Sequence, residues 1–322
     1  MFGDSSPTKL GQICSSWRRI AHSTPHLWRT INLGSKVADG PSGAAAQLEV
    51  ARLWIRRSGA LALSVALQER NISFGDRDAA LMLLCDARDR WEHAYIDLSW
   101  PDNSASRRLF HGDAPLLVQL HVVFEDGPIS ESHSLQAPRL RTALCTLRHT
   151  SSAVLLASMP WSQLTKILLD RVSLVAAVTV LAQAGAVVSC RLCLPDELAE
   201  LENFRPPVLN LPNLTTFILE ISTDVEISEE VATNVTLLLK AMRTPALTRL
   251  HVEEDALGEE PALVRAAVDA MECRGLEHLR VAYTHRPDHE VYAERFPQVA
   301  TISLDIAGEF PDDWGQWSML ML

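Results

Sequence analysis

The stretch Leu10–Ile31, LGQICSSWRRIAHSTPHLWRTI, decides how this chain is read. Its apolar positions Leu10, Ile13, Cys14, Trp17, Ile20 and Ala21 follow at steps of three, one, three, three and one. That spacing predicts one helix with an apolar stripe, Arg18 and Arg19 falling on the wet side. The stripe stops at His22-Ser23-Thr24-Pro25, because Pro25 disfavours a helical backbone at Thr24. Leu27 and Trp28 follow on a short second segment. A lone helix of about twelve residues is marginal in water, so the stripe must pack on something.

Outward from there, Ile31–Leu33 reads as a short strand and Gly34–Gly43 as a Gly/Ser/Pro linker. Ala44–Arg57 reads as a helix with Leu48, Ala51, Leu53, Trp54 and Ile55 on its apolar side. Ser58-Gly59 stands where a glycine C-cap belongs. Leu61–Leu67 reads as a strand, Asp78–Trp91 as a helix and Ala94–Leu98 as a further strand.

A weak repeat of the form Pro-x-Leu-x-x-Leu-x-Leu then sets in. Its copies begin at Leu117, Leu140, Leu164, Ser189, Leu214, Leu247, Leu276 and Val299, at intervals of 23, 24, 25, 25, 33, 29 and 23 residues. Most of these intervals lie in the leucine-rich-repeat range. The physical reason is that a short strand with one apolar face cannot bury it alone and stacks on the next unit. Helices fill the gaps, the clearest being Ser228–Met242 and Pro261–Cys273, with Gly275 just past the latter. The asparagine usual after such strands is missing, so the turns must be satisfied in another way. A plain α/β sheet with crossing helices predicts a similar period.

The 322 residues exceed what one compact core usually holds. With 47% hydrophobic and 21% charged residues the composition is that of a globular protein. A net charge of −11 argues against nucleic acid as a partner. The six cysteines sit mostly in apolar runs, which fits a reducing compartment. Cys190 and Cys193 form an isolated CxxC on a strand, where residues three apart face opposite ways, so no metal is expected there. Met1–Lys9 has no apolar core of a signal peptide. Val172–Cys190 is uncharged and near membrane length, but divides into a helix and a strand, so no membrane partner is expected.

The pattern Ile13-Cys14, Trp17, Arg18-Arg19 and Pro25-His26-Leu27-Trp28 resembles the second half of an F-box. The chain as a whole resembles the leucine-rich F-box proteins of mushroom-forming fungi. The family's first helix, with its Leu-Pro-x-Glu start, would lie before Leu10, and Met1–Lys9 is too short for it. The resemblance therefore expects a truncated chain or a degenerate box. It implies an α/β architecture: a partial helical F-box over residues 1–33, a linker and connecting helix over 34–60, and an irregular leucine-rich-repeat-like solenoid over 61–322.

By the same resemblance the chain is the substrate-recognition subunit of a Skp–cullin–F-box ubiquitin ligase, cytoplasmic or nuclear. It would dock on the Skp adaptor through Leu10, Ile13, Cys14, Trp17, Ile20, Leu27 and Trp28. Some of these seven must instead hold the box to the repeats. The alternative is a repeat scaffold that binds another protein without docking on the adaptor. No catalysis, cofactor or metal is expected. There is no nucleophile elbow, phosphate loop or dinucleotide fingerprint, and Pro287 interrupts the His285/His289 pair. The acidic run Glu253, Glu254 and Asp255, with Glu259 and Glu260, reads either as a solvated loop or as a patch for a basic segment of a target protein.

Overall fold

The computed structural model describes residues 7–34, 41–68, 74–98, 108–124, 134–147, 159–195, 204–221, 228–257, 261–283 and 289–306. The chain forms two compact units. One comprises residues 1–141 with 148–160 and 318–322, the other 142–147 with 161–317. Both are α/β, and the long strands in each run parallel. The units do not divide at residues 33 and 60, because the strand after Trp28 pairs directly with the strand after Gly59.

The first unit opens on α1 (Pro7–Ile13) and α2 (Ser15–His22), followed by a 3-10 turn over Pro25–Trp28. Strand β1 (Thr30–Leu33) and helix α3 (Pro41–Arg57) come next. Gly59, at φ +60°, takes the left-handed conformation that closes α3, as the Ser58-Gly59 pair predicts. After β2 (Leu63–Gln68), α4 (Phe74–Cys85) ends six residues short of the expected end at Trp91, and a 3-10 turn follows at Arg88–Arg90. Trp91 therefore starts β3 (Trp91–Leu98) rather than ending a helix. Two-residue strands β4 (Gly112–Asp113) and β6 (Leu135–Gln136) pair beside β5 (Gln119–Phe124).

Strands β1, β2, β3 and β5 stand in chain order with Ile31, Val65, Ala94 and Leu120 in register, and two residues on Leu33, Leu67, Ile96 and Val122. All eight are buried. Stacked apolar rows of this kind are what an open repeat array needs to seal its units.

The second unit contains β7 (Thr142–Leu147), β8 (Lys166–Asp170), α5 (Leu174–Leu181) and β9 (Ser189–Leu194). Short β10 (Leu209–Asn210) precedes β11 (Thr216–Ile221), α6 (Glu229–Ala241), short β12 (Met242–Arg243) and β13 (Arg249–Glu253). Helix α7 (Pro261–Ala270), β14 (His278–Tyr283), α8 (His289–Arg295) and β15 (Thr301–Ile306) complete it. Ser173 and Ser228 cap α5 and α6, their hydroxyls accepting from the N–H groups of Ala176 and Val231. After α7 the left-handed residue is Glu272, at φ +59°, and not Gly275; its carboxylate pairs with Arg243.

Seven strands again stand in chain order, with Ala143, Ile167, Cys190, Phe217, Leu250, Leu279 and Ile302 in register. This register corrects one repeat copy. Ile167 pairs with Cys190, so the unit before β9 begins at Val187, not Ser189, and the flanking intervals are 23 and 27 residues. A proline turn leads into five of the strands. The N–H groups of Leu117, Leu140, Leu214, Leu247 and Val299 donate to Ala114, Ala137, Leu211, Thr244 and Phe296, at 3.0–3.2 Å. In each case a proline occupies the second turn position, where its fixed φ is already correct. Thr24-Pro25-His26-Leu27 closes in the same way, at 3.2 Å.

Among the described residues no helix is long and apolar enough to cross a membrane; Val172–Cys190 is divided between α5 and β9. Trp314, Trp317 and His285 lie outside the described residues.

Candidate functional site

The single helix predicted over Leu10–Ala21 is two helices. Cys14 is extended, at φ −158° and ψ 173°, and stands as the N-cap of α2. The break is held by Arg18, whose Nε donates to the Gly11 carbonyl at 2.8 Å. At the other end the hydroxyls of Ser23 and Thr24 donate to the Ile20 carbonyl, at 3.1 and 2.7 Å. These side chains satisfy a carbonyl that the end of a helix leaves without a helical partner.

The stripe does not turn into a core. Ile13 is 64% exposed, Trp17 46%, Ile20 50% and Leu27 36%. Cys14 is exposed and Leu10 half-buried. Of the described tryptophans, Trp28, Trp54, Trp91 and Trp161 are buried and Trp17 alone is not. Exposed apolar side chains accompanying an exposed tryptophan are a common mark of an interaction surface.

Trp28 does not belong to that surface. It is 1% exposed, packs edge-on against Trp54 at 5.5 Å and lies under the Arg57 guanidinium at 4.6 Å. Its indole Nε1–H donates to the Ala21 carbonyl at 2.8 Å. It anchors α2 to α3 and β1, so it drops out of the seven predicted docking residues. The other six are not buried.

Trp91 repeats this arrangement, its Nε1–H donating to the Leu84 carbonyl of α4 at 3.0 Å. Counted back from each indole, Trp17 in α2 corresponds to Ala80 in α4. Ala80 is fully buried, whereas Trp17 faces solvent. The same helix position is covered inside the row of helices and bare at its start.

Two residues of the predicted acidic patch are engaged within the fold. Glu254 is buried, its carboxylate accepting from the Tyr292 hydroxyl at 2.7 Å. Glu253 is half-buried and accepts from the Ile221 backbone N–H at 2.8 Å. Glu253 thus ties β13 to β11, and Glu254 ties the end of β13 to α8. The side chain of Asp255 lies outside the described residues, as do Glu259 and Glu260.

A polar row that sequence reasoning missed lies on the strand face opposite the apolar rows. In the second unit Arg191, Ile218, His251 and Arg280 are in register. Arg191 donates from Nε and Nη2 to the Glu220 carboxylate, at 3.0 and 2.8 Å. Arg280 donates to Asp305 at 2.7 Å. Burial, with the two arginines nearby, pushes His251 down to about 3. In the first unit His121 sits edge-on to Tyr95 at 5.0 Å, and burial pushes it down to about 4. The signal was present in part: several strand cores hold one polar residue between two apolar ones, as in Leu250-His251-Val252, while others, such as Phe217-Ile218-Leu219, do not.

Cys190 is fully buried and Cys193 lies on the other face of β9. Among the described residues no group of histidine, cysteine and carboxylate side chains could hold a metal ion. No protein-family model matches the chain, and no curated protein matches it in sequence.

Proposed function

We propose that this is a non-catalytic, F-box-like binding protein. The exposed face of α1 and α2 docks on the Skp adaptor of a Skp–cullin–F-box ubiquitin ligase, and the strand faces of the repeats hold the target protein. The observation that carries this reading is Trp17, exposed together with Ile13, Ile20 and Leu27 while the other described tryptophans are buried. Docking would bury these four side chains, and an aromatic anchor at the centre of an apolar patch commonly dominates such binding.

A purified fungal Skp adaptor titrated against the full chain tests the reading. The wild type binds, Trp17→Ala loses at least tenfold in affinity, and both keep the same thermal midpoint. An adaptor that ignores the wild type overturns it.

A second reading is a repeat scaffold that does not dock on the adaptor. It is favoured by the likeness between Trp28 and Trp91, which makes the front segment the first unit of the repeat row. The same titration separates the two, since a scaffold leaves the adaptor unbound.

A further inference from the structure

The charge around the exposed stripe differs from that of the rest of the chain. Residues 7–34 contain Lys9, Arg18, Arg19 and Arg29 and no aspartate or glutamate. The whole chain has 29 basic and 40 acidic residues, so outside this segment 25 basic residues stand against 40 acidic ones. Arg29 is already paired with Glu92. Lys9, Arg18 and Arg19 are exposed on α1 and α2, the two helices that also carry the exposed Ile13, Trp17 and Ile20. The α1–α2 segment thus exposes apolar and cationic side chains together, on a chain that is otherwise acidic.

Resting on the docking reading above, we infer that the partner covering this face is a protein whose apolar groove has an acidic rim. Opposite charge at a rim speeds encounter and fixes orientation, while the desolvated centre holds the complex. An anionic bilayer would also attract cations next to a tryptophan. It is disfavoured because the remaining excess of 15 acidic residues repels an anionic surface, and because α1 and α2 have only seven and eight residues with a break at Cys14.

The test uses the full chain and the purified fungal Skp adaptor over about 50 to 500 mM salt. Wild-type affinity falls about tenfold or more across that range. The double variant Lys9→Glu, Arg19→Glu binds about tenfold more weakly at low salt and loses the salt dependence, with the Lys9→Gln, Arg19→Gln pair in between. Trp17→Ala weakens binding at every salt concentration. Circular dichroism confirms that each variant keeps its helices.

Binding that ignores both salt and charge reversal, yet still needs Trp17, overturns the acidic rim and leaves adaptor docking standing. Absence of binding at any salt overturns both. Cosedimentation of the wild type with phosphatidylserine vesicles, lost in the charge-reversed pair, would overturn the protein partner in favour of an anionic lipid surface.

Discussion

Trp28 and Trp91 hold the same place in two helix–strand units. Each indole donates to a carbonyl seven residues upstream, at 2.8 Å to Ala21 and 3.0 Å to Leu84, and each leads into a parallel strand. The front segment therefore shares its helix-to-strand geometry with the unit that leads into β3. Among the described residues, its Trp17 is exposed where the corresponding Ala80 of α4 is buried.

This arrangement separates the two front tryptophans by role. Trp28→Ala removes a buried indole and should cost about 3–5 kcal/mol. Trp28→Phe keeps a ring but removes the indole donor, leaving the Ala21 carbonyl with only the Thr24 N–H, and should cost about 1 kcal/mol. Trp17→Ala, on the surface, should stay within about 0.5 kcal/mol. Urea denaturation of the three variants checks the order, and a Trp17→Ala cost equal to that of Trp28→Ala would refute it.

Tyr292 and Glu254 lock α8 to the end of β13 through one hydrogen bond inside the core. Tyr292→Phe leaves a buried carboxylate short of a donor and should destabilise by about 1–3 kcal/mol. Glu254→Gln, which can still accept from the hydroxyl, should cost less. Thermal melts of the two variants decide the point.

Arg191 and Glu220 form a pair in which the carboxylate is the more deeply buried partner. Burial pushes the Glu220 carboxyl up, and Arg191 pulls it back down. Arg191→Ala strands the carboxylate and should cost about 3–5 kcal/mol. The double change Arg191→Met, Glu220→Leu should be near neutral, because it removes both desolvation penalties. A double change as damaging as the single one would refute this account.

His121 and His251 are held down to about 4 and about 3 by burial. A histidine depressed in the fold adds stability above its unfolded value of about 6.5, and that contribution is lost as the pH falls toward the folded value. Stability should thus drop between about pH 6.5 and pH 4, by up to roughly 1.4 kcal/mol per pH unit for each histidine. Urea midpoints across that range check it, and the slope should be shallower in His251→Gln.

Cys145 and Cys190 are pushed in the opposite sense, each up to about 12 by complete burial. Their contribution is full below the unfolded thiol value of about 8.5 and is lost as the pH rises toward 12. Midpoints measured from about pH 8 to pH 10 should fall, and the double variant Cys145→Ala, Cys190→Ala should fall less steeply.

The amino-acid sequence alone determined most of the strand cores, the helices between them and the breaks at prolines and at Gly59, because these rest on local chemistry. Alternating apolar residues such as Leu250 and Val252 mark one buried face of a strand, prolines such as Pro245 preset a turn, and Gly59 accepts a left-handed backbone. The clustering of cations around Trp17 is likewise plain in the order of residues. Tertiary structure alone decided which side chains are free to meet a partner. Trp17 and Trp28 read alike along the chain, but only Trp28 has Trp54, twenty-six residues away, to pack against. Glu254 reads as surface charge until Tyr292 reaches it, and Val187 replaces Ser189 as the start of a repeat only once β8 and β9 align. Burial belongs to a pair of surfaces, and the second surface of each pair comes from a distant part of the chain.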